Sequence, residues 1–140
     1  MDNLMNDIVS TAENFAIKFS DRGTFDYSIE SLTLVDKLLD EISDFEWNED
    51  ELFKFSFLFG CYVFETARKN YGGEYLWIKE ELQPVLIAGL PDFSVSIKAW
   101  EKVQGRILNG DEDDICFYIA GYKEHIERGK NEKGYSATII

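Results

Sequence analysis

A run of carboxylates between Asp36 and Glu51 holds the side chains whose types and spacing point most clearly to a chemistry. Its eight acids, against the single base Lys37, are Asp36, Asp40, Glu41, Asp44, Glu46, Glu49, Asp50 and Glu51. Phe45 and Trp47 are interleaved with them. Carboxylates steer a cationic partner, and a partly exposed aromatic ring supplies the desolvated contact that charge alone does not provide. The run predicts a docking surface for a basic protein; a solvated helix end followed by a helix cap is the alternative that needs no function.

The charge of the whole chain agrees with a cationic partner. Its 140 residues carry 27 Asp and Glu against 14 Lys and Arg, a formal net charge of −13, and residues 1–60 hold −10 of it. A concentrated negative field repels nucleic acid and anionic membrane, so we expect neither as a partner. The residues that we expect to bind a basic protein are Asp40, Glu41, Asp44, Phe45, Glu46, Trp47 and Asp50.

Groups for catalysis are few, and we predict no catalytic residue. Glu65 is the one acid inside an apolar stretch. It is either a structural carboxylate paired with Arg68 or a tyrosine hydroxyl, or a functional carboxylate with a raised pKa. His125 is the only histidine, and neither a GxSxG nucleophile motif nor a glycine-rich nucleotide cradle occurs.

Metal and cofactor sites are not expected either. One histidine and two distant cysteines, Cys61 and Cys116, cannot form a zinc site of the usual composition. The acids at positions 111–114 lack the spacing of a calcium loop and are typical of a helix start. Both cysteines lie in apolar surroundings, which predicts free thiols, although their spacing alone leaves a disulfide open.

Hydrophobic spacing predicts three helices in the first half of the chain, over residues 4–19, 29–43 and 49–70. Asn48 and Glu51 resemble a capping box at the start of the third. Phenylalanines alternate strictly over residues 53–59, however, so a strand there is the alternative.

Short β-prone segments at 75–78, 85–88 and 93–97 predict an antiparallel meander, and helical spacing returns at 97–108 and 111–128. We therefore expect an α+β fold with about five helices around a small three-stranded antiparallel β-meander. One domain would span residues 1–140, with helices in 1–72, the meander in 73–97, helices in 98–128, and a tail at 129–140 that could add an edge strand. The sequence shows neither a secretion signal nor a membrane span, so we expect a cytoplasmic protein.

Turn and cap residues carry a resemblance over positions 60–114. They are Gly60, Tyr62, Glu65, Arg68, Gly72, Gly73, Trp77, Leu90, Pro91, Asp92, Arg106, Asn109, Gly110 and Asp113. In this order they resemble small acidic bacterial proteins of unknown function, of the immunity or toxin-neighbour type, except that Phe93 stands where that pattern has glycine. The resemblance implies an α+β fold and a bacterial origin, and it brings no catalytic residues with it.

Three functional hypotheses follow. The first is an immunity-type inhibitor that neutralises a basic toxin by occluding its cationic cleft. The second is a self-associating scaffold protein, for example a homodimer formed through apolar surface left open by the sheet. The third is a carboxylate-dependent enzyme that uses Glu65.

Overall fold

The computed structural model describes residues 2–140 and contains five α-helices and a four-stranded sheet. The elements are α1 (Asp2–Lys18), α2 (Ser31–Ile42), α3 (Glu49–Tyr71), β1 (Glu74–Ile78), β2 (Gln83–Ala88), β3 (Ser94–Ile97), α4 (Ala99–Asn109), α5 (Ile115–Asn131) and β4 (Ser136–Thr138). Two short 3₁₀ turns lie at Ser20–Arg22 and Gly110–Asp113. The α+β class predicted from the sequence is confirmed. Among the described residues, no helix is both long enough and apolar enough to cross a membrane.

The prediction of a three-stranded antiparallel meander is wrong, because the sheet has four strands and is mixed. Its order is β1-β2-β3-β4, and β4 pairs with β3 in parallel rather than antiparallel. A parallel neighbour needs a long crossover, which α4 and α5 provide between β3 and β4. The tail thus does form an edge strand, and the hydroxyls of Ser94 and Ser136 lie 3.1 Å apart across the new pair. The sequence offered this tail as a possible edge strand, but three polar or small residues are too short a run to indicate its parallel pairing with β3.

Helix α3 spans the stretch whose alternating phenylalanines left helix and strand open. Asn48 caps its start, since the Asn48 side chain accepts a hydrogen bond of 2.8 Å from the Glu51 N–H, and Gly72, at φ 84°, ends it. Every residue from Phe59 to Ala67 is buried, so α3 is the central helix.

The alternation has a helical explanation. Phe53 and Phe57 are one turn apart, and both contact Trp100 of α4. Phe55 and Phe59 are also one turn apart but lie on the other side of the helix, because two residues advance a helix by about 200°. An i, i+2, i+4, i+6 pattern can therefore serve two opposite faces of one buried helix as well as one face of a strand.

Aromatic rings make up much of the core on the α1 side of α3. Phe15 of α1 lies 4.9 Å from both Phe59 and Tyr62, measured between ring centroids, and 5.1 Å from Phe25. Offset or edge-to-face rings at such distances stabilise a core beyond the area they bury. Both thiols are free, and burial raises the pKa of Cys61 to about 12, so this thiol stays protonated and packs as a small apolar group.

A buried arginine joins the end of α2 to α4 and α5. Arg106 is 2% exposed, and its Nε donates to Asp36 Oδ1 at 3.0 Å while its Nη2 donates to Asp40 Oδ1 at 2.7 Å. The two carboxylate oxygens of Asp36 also accept from the backbone N–H groups of Ile115 and Cys116, at 2.9 and 3.1 Å. Asp36 therefore satisfies the free N–H groups at the start of α5 from another helix, where negative charge is favoured by the helix dipole.

Asp114, the N-cap of α5, lies against the same carboxylate. It accepts from the Phe117 N–H at 3.3 Å, and its hydrogen bond and charge interaction with Asp36, helped by burial, raise the pKa of Asp114 to about 6. Burial by itself would raise the pKa of Asp36 too, but the bonds from Asp114, the α5 backbone and Arg106 outweigh burial and lower it. At neutral pH, folding thus brings two ionised carboxylates together, with Arg106 as the nearby cation.

Removing the arginine should leave buried negative charge without a partner. We expect Arg106→Leu to lower the free energy of unfolding by about 3 kcal/mol, because breaking one side of a buried ion pair is costly. Arg22→Leu, which removes the exposed ion pair with Glu41, should change it by less than about 0.5 kcal/mol. Urea denaturation at pH 7 measures both. Equal losses in the two variants would contradict the central place given to Arg106.

The raised pKa of Asp114 gives a pH dependence of known sign. Because folding favours the protonated acid, the stability from this group is complete below its ordinary pKa of 3.8 and is lost as the pH rises through about 6. Asn keeps the helix cap without the charge, so Asp114→Asn should be more stable than the natural protein at pH 7.5 by about 1 kcal/mol, after allowance for solvent screening at this partly exposed side chain.

The gain of Asp114→Asn should shrink as the pH falls from 7.5 to 4.5, as measured by urea denaturation at each pH. Glu112→Gln, two positions earlier and exposed, is the control and should show no such trend. A constant difference between Asp114→Asn and the natural protein would rule out the raised pKa.

Candidate functional site

The acidic run divides into a part that the chain itself neutralises and a part that it leaves open. Asp36 and Asp40 bind Arg106, and Glu41 binds Arg22. Asp40 and Glu41 were expected to bind a partner; their side chains remain 59% and 52% exposed, but each already has an arginine beside it. Their charge is therefore less available to a second cation than the sequence suggested.

The connector between α2 and α3 and the first turn of α3 carry the open part. We call Asp44, Phe45, Glu46, Glu49 and Asp50 the acidic surface. All five side chains are exposed, and none of its four carboxylates forms an ion pair within residues 3–140. Because these residues are consecutive or nearly so around one connector, their charges add into one local field rather than spreading over the molecule.

The two aromatic residues of the run have different roles. Trp47 is partly buried: its indole N–H donates to the Ile42 carbonyl at 3.0 Å, and its ring meets Phe55 edge-on at 4.9 Å between centroids. Trp47 thus fixes the connector onto α2 and α3. Phe45 is 62% exposed and lies 6.3 Å from Trp47. Of the two anchors considered from the sequence, Phe45 is the ring that a partner can reach.

Glu65 lies in a closed network. It is 1% exposed, its oxygens accept from Arg68 Nε at 2.6 Å and Arg68 Nη2 at 2.9 Å, and the Tyr75 hydroxyl donates to it at 2.8 Å. Burial acts to raise the pKa of Glu65, but the bonds from Arg68 and Tyr75 outweigh burial and lower it. This direction is opposite to the raised pKa that a general acid or base at Glu65 would need.

One group of side chains has a composition that could be considered for a metal. One ligand atom each from Asp36, Asp114 and Cys116 lies within 4.8 Å of the others. The Asp36 oxygens, however, already accept hydrogen bonds from Arg106 and from the start of α5. Burial, together with the neighbouring Asp36 carboxylate, raises the pKa of Cys116 to about 12, which opposes the thiolate that a metal requires. We assign no metal to it.

A cavity beyond the acidic surface was not foreseen from the sequence. It measures about 240 Å³ and lies between α3, the turn that joins β1 to β2, and the first half of α4. We call it the aromatic pocket, and its main lining residues are Phe53, Ser56, Phe57, Leu82, Trp100 and Glu101. The i, i+4 pair Phe53 and Phe57 was the available signal, but the sequence could not place α4 and the β1–β2 turn around it.

Comparisons with known proteins identify no relative of this chain. No family model, no curated protein and no solved structure matches the chain.

Proposed function

We propose that this chain is a small acidic protein-binding module of the immunity type, which neutralises a basic toxin by occluding its cationic cleft. The observation that supports this most directly is the acidic surface, in which four exposed carboxylates without ion partners among the described residues share one connector and helix start with the exposed ring of Phe45. Within the acidic run, Asp36, Asp40 and Glu41 each have an arginine beside them, whereas the four carboxylates of the acidic surface have none among the described residues.

Occlusion would proceed in two physical steps. The field of the acidic surface would steer the cationic cleft towards it and raise the association rate, an effect that salt screens. Phe45 would then enter the interface and exclude water around the ion pairs, which lowers the dissociation rate. A basic cleft that normally holds phosphate would be blocked by carboxylates in the same place.

Charge reversal of the acidic surface should abolish partner binding. Asp44→Lys, Glu46→Lys and Asp50→Lys are combined in one variant. The control variant combines Glu13→Lys, Glu124→Lys and Glu127→Lys, three exposed acids on α1 and α5, and has the same net charge. Each protein is immobilised, exposed to a lysate of the organism that encodes the chain, and the retained proteins are quantified by mass spectrometry.

We expect the natural chain and the control to retain the same strongly basic protein, and the acidic-surface variant to lose it. With that partner purified, Phe45→Ala should raise the dissociation constant by about 30-fold, as expected for the loss of a central anchor residue. Equal retention by the two lysine variants, or a retained partner that is not basic, would contradict the proposal.

A second candidate function, self-association, is favoured by the free edge of the sheet. Strand β1 has a neighbour on one side only, and Leu76 and Trp77 on it are 48% and 37% exposed. An unpaired edge with apolar side chains is a surface on which a second copy could pair.

Light scattering at low and high salt distinguishes the two candidates. Under our main proposal the chain alone is a monomer at both salt concentrations. A homodimer through β1 would persist at high salt, because apolar contacts and backbone hydrogen bonds are little screened, and Leu76→Lys would dissociate it. Glu74→Lys, on the same strand and exposed, controls for the added charge.

A further inference from the structure

The aromatic pocket has walls suited to an organic cation. Trp100 meets Phe57 at 5.0 Å between ring centroids and Phe53 at 6.0 Å, with 63° and 84° between the ring planes. Trp77 meets Trp100 at 6.1 Å and 73°. All three contacts with Trp100 are edge-to-face, so one wall of the cavity consists of clustered rings and not of charged groups. The face of an aromatic ring is negative and attracts a cation, most strongly in tryptophan.

Two oxygen-bearing groups at the pocket, Ser56 and Glu101, favour a donor with positive charge; the indole N–H of Trp100 is also buried without a partner among residues 3–140 but, as a donor, does not bind a cation. Ser56 lines the cavity and is 3% exposed, yet its hydroxyl oxygen has no hydrogen-bond partner among residues 3–140. A buried hydroxyl without a partner is costly, so an incoming N–H donor would be favoured there. At the rim, Glu101 is exposed and forms no ion pair within the described chain, whereas the charge of Glu81 is offset by Lys98 at 2.9 Å.

The size of the pocket indicates one side chain rather than a cofactor. Its volume of about 240 Å³ is below the roughly 300–1,000 Å³ of typical small-molecule sites. Leu82 stands at the pocket with a 68% exposed side chain and a φ of 54°, a left-handed conformation that leucine rarely adopts. An apolar residue held in a strained conformation beside a cavity is typical of a ligand-contacting turn.

Glu49 links the acidic surface to the pocket along α3. Glu49 and Phe53 are four residues apart on this helix and so lie on the same face, one turn from each other. Phe53 lines the pocket and is itself 58% exposed, so its ring is accessible at the pocket mouth. A partner that contacts Glu49 could therefore reach the pocket with one long side chain, whereas Trp47 and Phe45 lie on the opposite, Phe55 side of α3.

We propose that the aromatic pocket receives an arginine side chain of the basic partner, stacked against Trp100 and the two phenylalanines, with its N–H groups directed to the Ser56 hydroxyl and the Glu101 carboxylate. Arginine fits better than lysine, because the planar guanidinium stacks on rings, has five donors and is less strongly hydrated. The inference rests on the proposed function for the identity of the partner, but the chemistry of the pocket is testable without it.

The test uses N-acetyl-L-arginine amide as the probe. The citrulline analogue, which has the same shape without the charge, and the lysine analogue are compared with it. Binding to the full chain is followed by ¹H–¹⁵N NMR through the indole N–H signals of Trp77 and Trp100, with Trp47 as an internal reference outside the pocket. We expect saturable shifts at Trp100 with the arginine probe, weaker shifts with lysine, and none with citrulline.

Variants then locate the site. Phe53→Ala and Glu101→Gln should each raise the dissociation constant of the arginine probe by about tenfold. Phe53→Ala removes one aromatic wall, and Glu101→Gln removes the negative charge. Phe117→Ala, at an 80% exposed phenylalanine on α5, is the matched control and should not change the binding. Both phenylalanines are exposed, so we expect neither substitution to change the fold. The spectra of the variants check this directly.

Equal binding of citrulline would overturn the cation assignment, and unchanged binding in Phe53→Ala would overturn the location. A concentration-dependent dimer that covers Trp100 would mean that a second copy occupies the pocket, and would also overturn it. Failure of this inference can be distinguished from failure of the proposed function. If the probe binds but charge reversal of the acidic surface leaves the partner bound, the pocket stands and the docking surface fails. If the partner is lost on charge reversal but no probe binds, the docking surface stands and the pocket assignment fails.

Discussion

The ion pair between Arg106 and Asp36 is the contact on which the arrangement of this protein depends. A chain with a net charge of −13 places one cation almost fully inside, 2% exposed, and gathers carboxylates from α2 around it. Burying an ion is unfavourable unless its partners compensate the lost hydration, so this site constrains α2, α4 and α5 together. Asp36 adds a second constraint, because the same carboxylate satisfies the first N–H groups of α5.

That constraint explains why some acids of the run form ion pairs within the chain and others do not. The acids at the end of α2 lie where an arginine can reach them, and they serve the fold. A few residues later the connector turns away towards α3, where Trp47 fixes it by its bond to the Ile42 carbonyl. The acids of this connector have no base opposite them among the described residues, and Phe45 stays exposed in their midst. The boundary between structural and available charge is thus set by which acids Arg106 and Arg22 can contact.

The sequence predicted local features well and distant ones poorly. The cap at Asn48 and the long third helix depend on neighbours within four residues, and the structure has both. The acids at 111–114 were expected inside the last helix, but positions 111–113 belong to a 3₁₀ turn and Asp114 caps α5. The pairing of Arg106 with Asp36 joins residues 70 positions apart, and no local pattern marks it. The tail was expected as a possible edge strand, but its parallel pairing was missed for the same reason, since its partner β3 lies 42 positions earlier. The aromatic pocket needed three elements to meet, and only its two phenylalanines had a recognisable spacing.

Charge alone would make a poor inhibitor, and this limits what the acidic surface can do without help. Exposed ion pairs contribute at most about 1 kcal/mol each and weaken with salt, so four carboxylates would speed association more than they would prolong the complex. A long-lived complex needs groups that lose their water on binding, which are enriched in aromatic residues and arginine. The chain has such groups beside its acids: Phe45 lies between Asp44 and Glu46, and the pocket at Phe53 and Trp100 lies one helical turn beyond Glu49. An acidic region that carries two aromatic contacts is suited to the occlusion of a cationic cleft, because the field attracts the partner and the rings exclude water.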